Sequence, residues 1–202
     1  MIVLVGCECS QRVALAFRGA GHEAYSCDIQ PAYGGAPGIH LQGDIREVFD
    51  KVKPDLFIAH PPCTFLSRVQ QPLLFPHGKP CEERLQKMRE AAELFFWCLR
   101  APAKFVCVEN PVPVKAAGLP APSQIIEPYM FGEPFTKKTC LWLRGGLPEL
   151  MPTYYVKPLR SWTAYKRNPK QRSETFRGIA EAMAQQWGGD ILENYQYTLG
   201  VI

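Results

Sequence analysis

Short apolar runs alternate with segments of helical periodicity along this chain, and that alternation constrains its fold more than any other feature. A run of four or five residues bounded by turn formers reads as a buried strand, and strands joined through helices return in parallel. Ile2–Val5 opens the series, and Ser10 reads as the N-cap of a helix through Arg18. Gly19-Ala20-Gly21 ends that helix before a second strand, Glu23–Cys27, closed by Asp28. After a loop from Pro31 to Gly38, Ile39–Leu41 is a short third strand, and Ile45–Val52 a short helix before strand four at Asp55–Ala59. A loop through Pro80 leads to a long helix over Glu82–Leu99 and a fifth strand, Lys104–Val108. Gln124–Ile126 and Thr139–Leu143 supply two more strands, which predicts a mostly parallel, seven-stranded α/β sheet closing in a hairpin-like antiparallel pair. Gly145 to Glu174 holds four prolines and reads as an irregular insertion, and Phe176–Trp187 reads as a final amphipathic helix.

At 202 residues the whole chain, 1–202, is expected to fold as one domain with a sizeable core. No apolar run approaches the roughly 20 residues that span a bilayer, so no membrane partner is expected. The apolar amino terminus lacks the basic lead-in and cleavage site of a signal peptide, and reads as a strand. Eight cysteines without a secretory signal fit a reducing, cytoplasmic setting. Cys7 and Cys9 have no second pair at zinc-ligand spacing, and His22, His40, His60 and His77 are scattered, so no metal site is expected.

The net charge of +4 is unevenly spread: from Lys157 to Arg177, seven basic residues and one acid give +6, leaving −2 elsewhere. Within 145–174, Lys166, Arg167, Lys170 and Arg172 are interleaved with Tyr154, Tyr155, Trp162 and Tyr165. Cations for phosphates beside aromatic faces for bases suit a nucleic acid, although such a segment also reads as a solvated loop.

Ligands of α/β sheets bind at the carboxyl ends of the strands. Strand one ends in Gly6-Cys7-Glu8-Cys9-Ser10, where a glycine lets a ligand approach the backbone. Asp28, ending strand two, suits a ribose diol, and Asp44, beyond strand three, suits an adenine amino group; each also reads as a helix N-cap or turn acid. Strand four runs into Pro61-Pro62-Cys63-Thr64-Phe65-Leu66-Ser67, a thiol held by two residues of restricted backbone. Strand five runs into Glu109-Asn110-Pro111. A thiol and a carboxyl group on neighbouring strand ends suit addition to an electron-poor ring, the thiolate attacking while the carboxyl group engages a ring nitrogen. Read blandly, Cys63 is packing material and Glu109 caps a turn.

These residues resemble the DNA cytosine C5-methyltransferase family. Pro62-Cys63-Thr64-Phe65-Leu66-Ser67 is similar to its Pro-Cys-Gln-x-(Phe/Trp)-Ser nucleophile motif, and Glu109-Asn110-Pro111 to its Glu-Asn-Val motif. Tyr129 to Lys138 is a looser match to its Tyr-Gly-x-Pro-Gln-x-Arg-x-Arg stretch, and Arg177-Gly178-Ile179-Ala180 sits where its last motif falls. The resemblance covers Met1 to about Leu143 and the final helix. It implies a Rossmann-like, S-adenosylmethionine-dependent methyltransferase with an antiparallel edge strand. It further implies that Cys63 adds to C6 of cytosine, that Glu109 engages N3 and the exocyclic amine, and that Asn110 holds the turn. Gly6, Glu8, Asp28, Asp44 and Pro61 would line the cofactor. Ser67, Lys137 and Lys138 would meet a DNA duplex whose target cytosine is flipped out of the stack. A phage or prophage restriction-modification setting fits so small a member.

The departures are specific. Val5-Gly6-Cys7-Glu8-Cys9 replaces the family's Phe-x-Gly-x-Gly, Thr64 replaces Gln, and Pro111 replaces Val. The family's target-recognition domain is missing, and about thirty residues at 145–174 are too few for an independent domain. Sequence preference is therefore expected to be short, or to come from a second copy or a separate specificity partner. Three alternatives stay open: an amino-methyltransferase, since Pro-Pro after strand four also occurs there; a methyltransferase of RNA or a free nucleotide; and a non-catalytic DNA-binding relative.

Overall fold

A computed structural model describes residues 1–162 and 173–189. In chain order its elements are β1 (Ile2–Gly6), α1 (Arg12–Gly19), β2 (Glu23–Asp28), β3 (His40–Gln42), α2 (Ile45–Val52), β4 (Leu56–Ala59), α3 (Gln71–Leu74) and α4 (Glu82–Arg100). They continue as β5 (Phe105–Pro111), β6 (Gln124–Ile126), β7 (Phe135–Thr136), β8 (Thr139–Arg144), β9 (Arg160–Ser161) and α5 (Arg177–Gly188). Seven strands form one sheet in the order β3-β2-β1-β4-β5-β8-β6, and β7 pairs separately with β9.

The alternation of side chains along a strand explains why the central runs are apolar without a break. Val3, Val5, Leu56, Ile58, Phe105 and Cys107 pack on one face with Val13 and Phe17 of α1 and Ile179, Met183 and Trp187 of α5. Leu4, Phe57, Ala59, Val106 and Val108 pack on the other with Ile45 and Phe49 of α2 and Met88 and Phe95 of α4. From β1 the chain steps outward through β2 to β3, then returns to lay β4 and β5 on the other side of β1. The order reverses between β1 and β4, and in a doubly wound sheet that crevice is the ligand site.

Two expectations are corrected. The antiparallel strand is β8, and it is not an edge strand: it lies between β5 and β6, antiparallel to both, so β6 runs parallel to β5 and forms the edge. Cys140, Leu141 and Trp142 of β8 are buried, whereas three-residue β6 leaves Ile125 exposed. The more apolar strand takes the interior place. Ser10 does not cap α1: the N-cap position is Gln11, in a left-handed conformation, and the helix's first amides go to Glu8 instead.

The described part of the insertion is held to the body by main-chain bonds. Gly132 donates to the Tyr154 carbonyl at 2.8 Å, Val156 to Tyr129 at 2.9 Å and Leu159 to Pro134 at 3.0 Å. Residues 151–161 thus form a strap along 129–136, closed by the β7–β9 pair.

Candidate active site

The Cys63 turn is built from three local constraints. The His60 amide still follows β1, donating to the Gly6 carbonyl at 2.9 Å. Pro61 and Pro62 then supply no N–H groups, so the chain must leave the sheet. The Cys63 carbonyl accepts from Leu66 at 3.1 Å and Ser67 at 3.0 Å, closing a turn anchored by fully buried Leu66.

That turn is tied to the end of β5. The last parallel pair is Ala59 with Val108, but β5 continues against β8 through Glu109 and Asn110. Asn110 is buried and donates from Nδ2 to the Pro61 carbonyl at 2.8 Å. Beyond the motifs, Arg68 donates to Val112 at 2.8 Å and Val114 to Leu66 at 2.7 Å. Ser67 and Pro113 bridge between those bonds.

His60 meets Glu109 across the same gap, Nδ1 to Oε2 at 3.0 Å, with side chains only 10% and 15% exposed. Strand alternation produces this pair: His60 continues the face of Ile58, and Glu109 that of Cys107. For His60, burial works against the charged ring, but the Glu109 hydrogen bond and the charges of Glu109 and Glu8 outweigh it and raise its pKa, with Lys137 opposing. For Glu109, burial pushes the carboxyl group up, but the His60 hydrogen bond and the charges of His60 and Lys137 bring it below the ordinary range. Among the described residues His60 Nε2 and Asn110 Oδ1 are buried without hydrogen-bond partners.

The glycine-containing loop after β1 is differently built. A Cβ on Gly6 would lie 2.8 Å from Ile45 Cδ1 and 3.1 Å from Phe57 Cε2, so the glycine makes room for the core. Glu8 is buried, and its carboxylate accepts from the Val13 and Ala14 amides at 2.7 and 3.3 Å. A carboxylate at a helix N-terminus satisfies donors that otherwise lack partners. Cys7 and Gln11 both adopt left-handed conformations, and burial pushes the Cys7 thiol well up. The Gln11 amide bonds both the carbonyl and the N–H of Ala36, and Tyr33 donates its N–H to Cys9. These contacts sew the 31–38 loop over the β1–α1 loop.

Asp28 and Asp44 stand at the ends of β2 and β3. Asp28 Oδ1 accepts from the Gln30 amide at 2.9 Å, and Asp44 Oδ1 accepts from the Arg46 amide at 2.8 Å as the N-cap of α2. Each therefore serves as a turn or cap acid, and among the described residues each keeps one oxygen unengaged. Two carboxylate oxygens at adjacent strand ends are acceptors of the kind that ribose hydroxyls and an adenine amine require, so these acceptors fit an adenosyl group.

The structure thus ties the turn that carries Cys63 to Asn110 through Pro61 and sets His60 against Glu109 beside it, with Lys137 near enough to act on that pair. Lys137 also lies over the Phe176 ring at 5.8 Å, whereas Lys138 is exposed. Ser67 is buried in the bridge to Pro113 rather than presented at a surface. Lys166, Arg167, Lys170 and Arg172 lie outside the described residues. Sequence reasoning missed His60 as a partner of Glu109. Its signal was parity: two residues past Ile58, as Glu109 is two past Cys107. Among the described residues no helix is long and apolar enough to cross a membrane, and no group of three or more side chains could hold a metal ion.

No family model and no curated protein matches this chain. Three solved structures similar to it are methyltransferases. The first, encoded within a prophage of E. coli and provisionally described as a DNA modification methyltransferase, is 14% identical with a TM-score of 0.47, over 78% of this chain and 52% of that one. The Dnmt2 methyltransferase of S. pombe is 15% identical with a TM-score of 0.43, over 88% of this chain and 55% of that one. The methyltransferase EhMeth of Entamoeba histolytica is 12% identical with a TM-score of 0.47, over 83% and 60%. The chain spans about half to three-fifths of the length of these proteins.

Proposed function

We propose that this chain is an S-adenosylmethionine-dependent methyltransferase that methylates C5 of a cytosine in DNA through a transient Cys63–C6 bond. The observation that carries this reading is the tie between two strand ends. The turn bearing Cys63 is bonded to the strand bearing Glu109 through Asn110 and Pro61, at the carboxyl ends of neighbouring parallel strands. A structural cysteine needs no such mounting.

When bound, S-adenosylmethionine would supply an electrophilic methyl group on a positively charged sulfur. Asp28 would hold its ribose hydroxyls and Asp44 its adenine amine, each with the oxygen its backbone partner leaves unengaged. The Cys63 thiolate would donate its electron pair to C6 of the target ring. The charge displaced onto the ring would collect at N3, which would take a proton carried in by Glu109 and return it as C5 takes the methyl group, while the Glu109 carboxylate would accept from the exocyclic amine. With C6 saturated, C5 becomes an enamine carbon able to take the methyl group. Loss of the C5 proton to water then expels the Cys63 thiolate and restores the aromatic ring. Asn110, by fixing the Pro61 carbonyl, would keep sulfur and carboxylate in register. Residues 1–202 would act as one methyltransferase unit, with 145–174 contacting the nucleic acid.

The test is incubation with S-adenosylmethionine and duplex DNA containing 5-fluorocytosine, which blocks the final elimination. A complex surviving denaturation is expected with the native protein and none with Cys63→Ser. Methylation of ordinary DNA by Cys63→Ser would instead mark an amino-methyltransferase. Transfer of labelled methyl to RNA or dCMP in place of DNA would reassign the substrate.

A further inference from the structure

Resting on that reading, we infer that His60 is a positioning residue for Glu109. Its Nδ1 clamps one carboxylate oxygen so that only the other is left for the target base, and its Nε2 proton makes the clamp sensitive to pH. The clamp is the 3.0 Å contact between Nδ1 and Oε2 of Glu109, two side chains that are only 10% and 15% exposed. Against a carboxylate, Nδ1 must carry hydrogen and donate. With Oε2 occupied, the plane of the carboxylate is fixed and Oε1 is the free acceptor.

The other ring nitrogen is the titrating end. Among the described residues Nε2 is buried without a hydrogen-bond partner, so gaining or losing its proton breaks no contact there. Three charged groups face the ring from the elements packed around it: Glu109 on β5, Glu8 in the β1–α1 loop, and Lys137 in the turn between β7 and β8. Two anions against one cation favour a proton on the ring. With Nε2 protonated, the bond to Glu109 is charge-assisted and short; with Nε2 bare, it is an ordinary neutral-donor bond and weaker. Raising the pH therefore loosens Glu109 without removing its negative charge.

Asparagine at position 60 can present an N–H to Glu109 but cannot titrate, and leucine can do neither. His60→Asn is expected to keep adduct formation on 5-fluorocytosine DNA within about tenfold of native while losing the native decline at alkaline pH. His60→Leu is expected to lower kcat about a hundredfold with little change in KM, the signature of a misaligned group. A His60→Asn enzyme retaining the native alkaline limb, or a His60→Leu enzyme with native kcat, would overturn the inference. A readout independent of turnover is the NMR titration of the His60 ring in the unliganded protein. Glu109→Gln should lower its titration point, and an unchanged titration would equally overturn the pairing. A native protein that forms no adduct while its His60 titration responds to Glu109→Gln would sink the cytosine reading and leave the pair standing.

Discussion

At the scale of single residues, the site depends on buried polar groups whose partners lie far away in sequence. Asn110 and Pro61 are 49 residues apart, as are Glu109 and His60. Removing one partner strands the other in a dry environment, where an unpaired polar group costs about 1–3 kcal/mol. Asn110→Ala should therefore lower the unfolding free energy by about that amount in urea titrations, and slow adduct formation as the Cys63 turn loosens. The ion pair adds a pH signature. His60 is raised above its ordinary 6.5, so its contribution is complete below that pH and is lost as pH rises through the folded value. Glu109 is held below its ordinary 4.5, so its contribution is present above that pH and is lost as pH falls through the folded value. The stability difference between the native protein and His60→Asn should be largest between these limits and shrink toward either side, measurable by urea unfolding at a series of pH values. A flat difference would show that the pair adds nothing to folding.

At the scale of elements, helix ends and close approaches decide where chemistry can sit. Glu8 follows directly after β1, yet its carboxylate serves the first turn of α1. Glu8→Ala removes that acceptor and should cost about 1–2 kcal/mol, the range of a lost N-terminal cap, seen as a lower Tm. At the other end of the chain, α5 enters against the backbone of Phe131. A Cβ on Gly178 would collide with the Phe131 carbonyl oxygen, and Gly178→Ala should destabilise by roughly 1–3 kcal/mol, as overpacking does. Because Phe176 and Lys137 meet beside that entry, the same substitution should also reduce methyl transfer. Loss of activity without loss of Tm would contradict this account.

At the scale of the whole molecule, charge is spread unevenly along the chain. The window from Lys157 to Arg177 carries +6 while the remainder carries −2. The described part of the strap leaves Tyr154, Tyr155 and Leu159 exposed, with Lys157 also on it and Arg160 in β9. If these cations neutralise phosphates, DNA affinity should fall linearly with the logarithm of salt concentration, and each cation removed should flatten the slope by about 0.9. Lys157→Ala and Arg160→Ala, measured by fluorescence anisotropy across a salt series, give that slope directly. An unchanged slope would move DNA binding elsewhere.

Sequence by itself determined the central strands and the order of the residues at their ends. Unbroken apolar runs such as Leu56–Ala59 can be buried only in a sheet covered on both faces, and Pro61-Pro62 must end whichever strand precedes them. These are local properties, set by backbone geometry and side-chain period. Tertiary structure alone decided that β8 slips between β5 and β6, that Glu8 serves a helix while Asp28 and Asp44 each keep an oxygen, and that His60 grips Glu109. Such outcomes depend on which strands become neighbours, and that follows from packing among residues distant in the chain. Parity along β4 and β5 placed His60 and Glu109 on one face; the adjacency of those two strands made them partners.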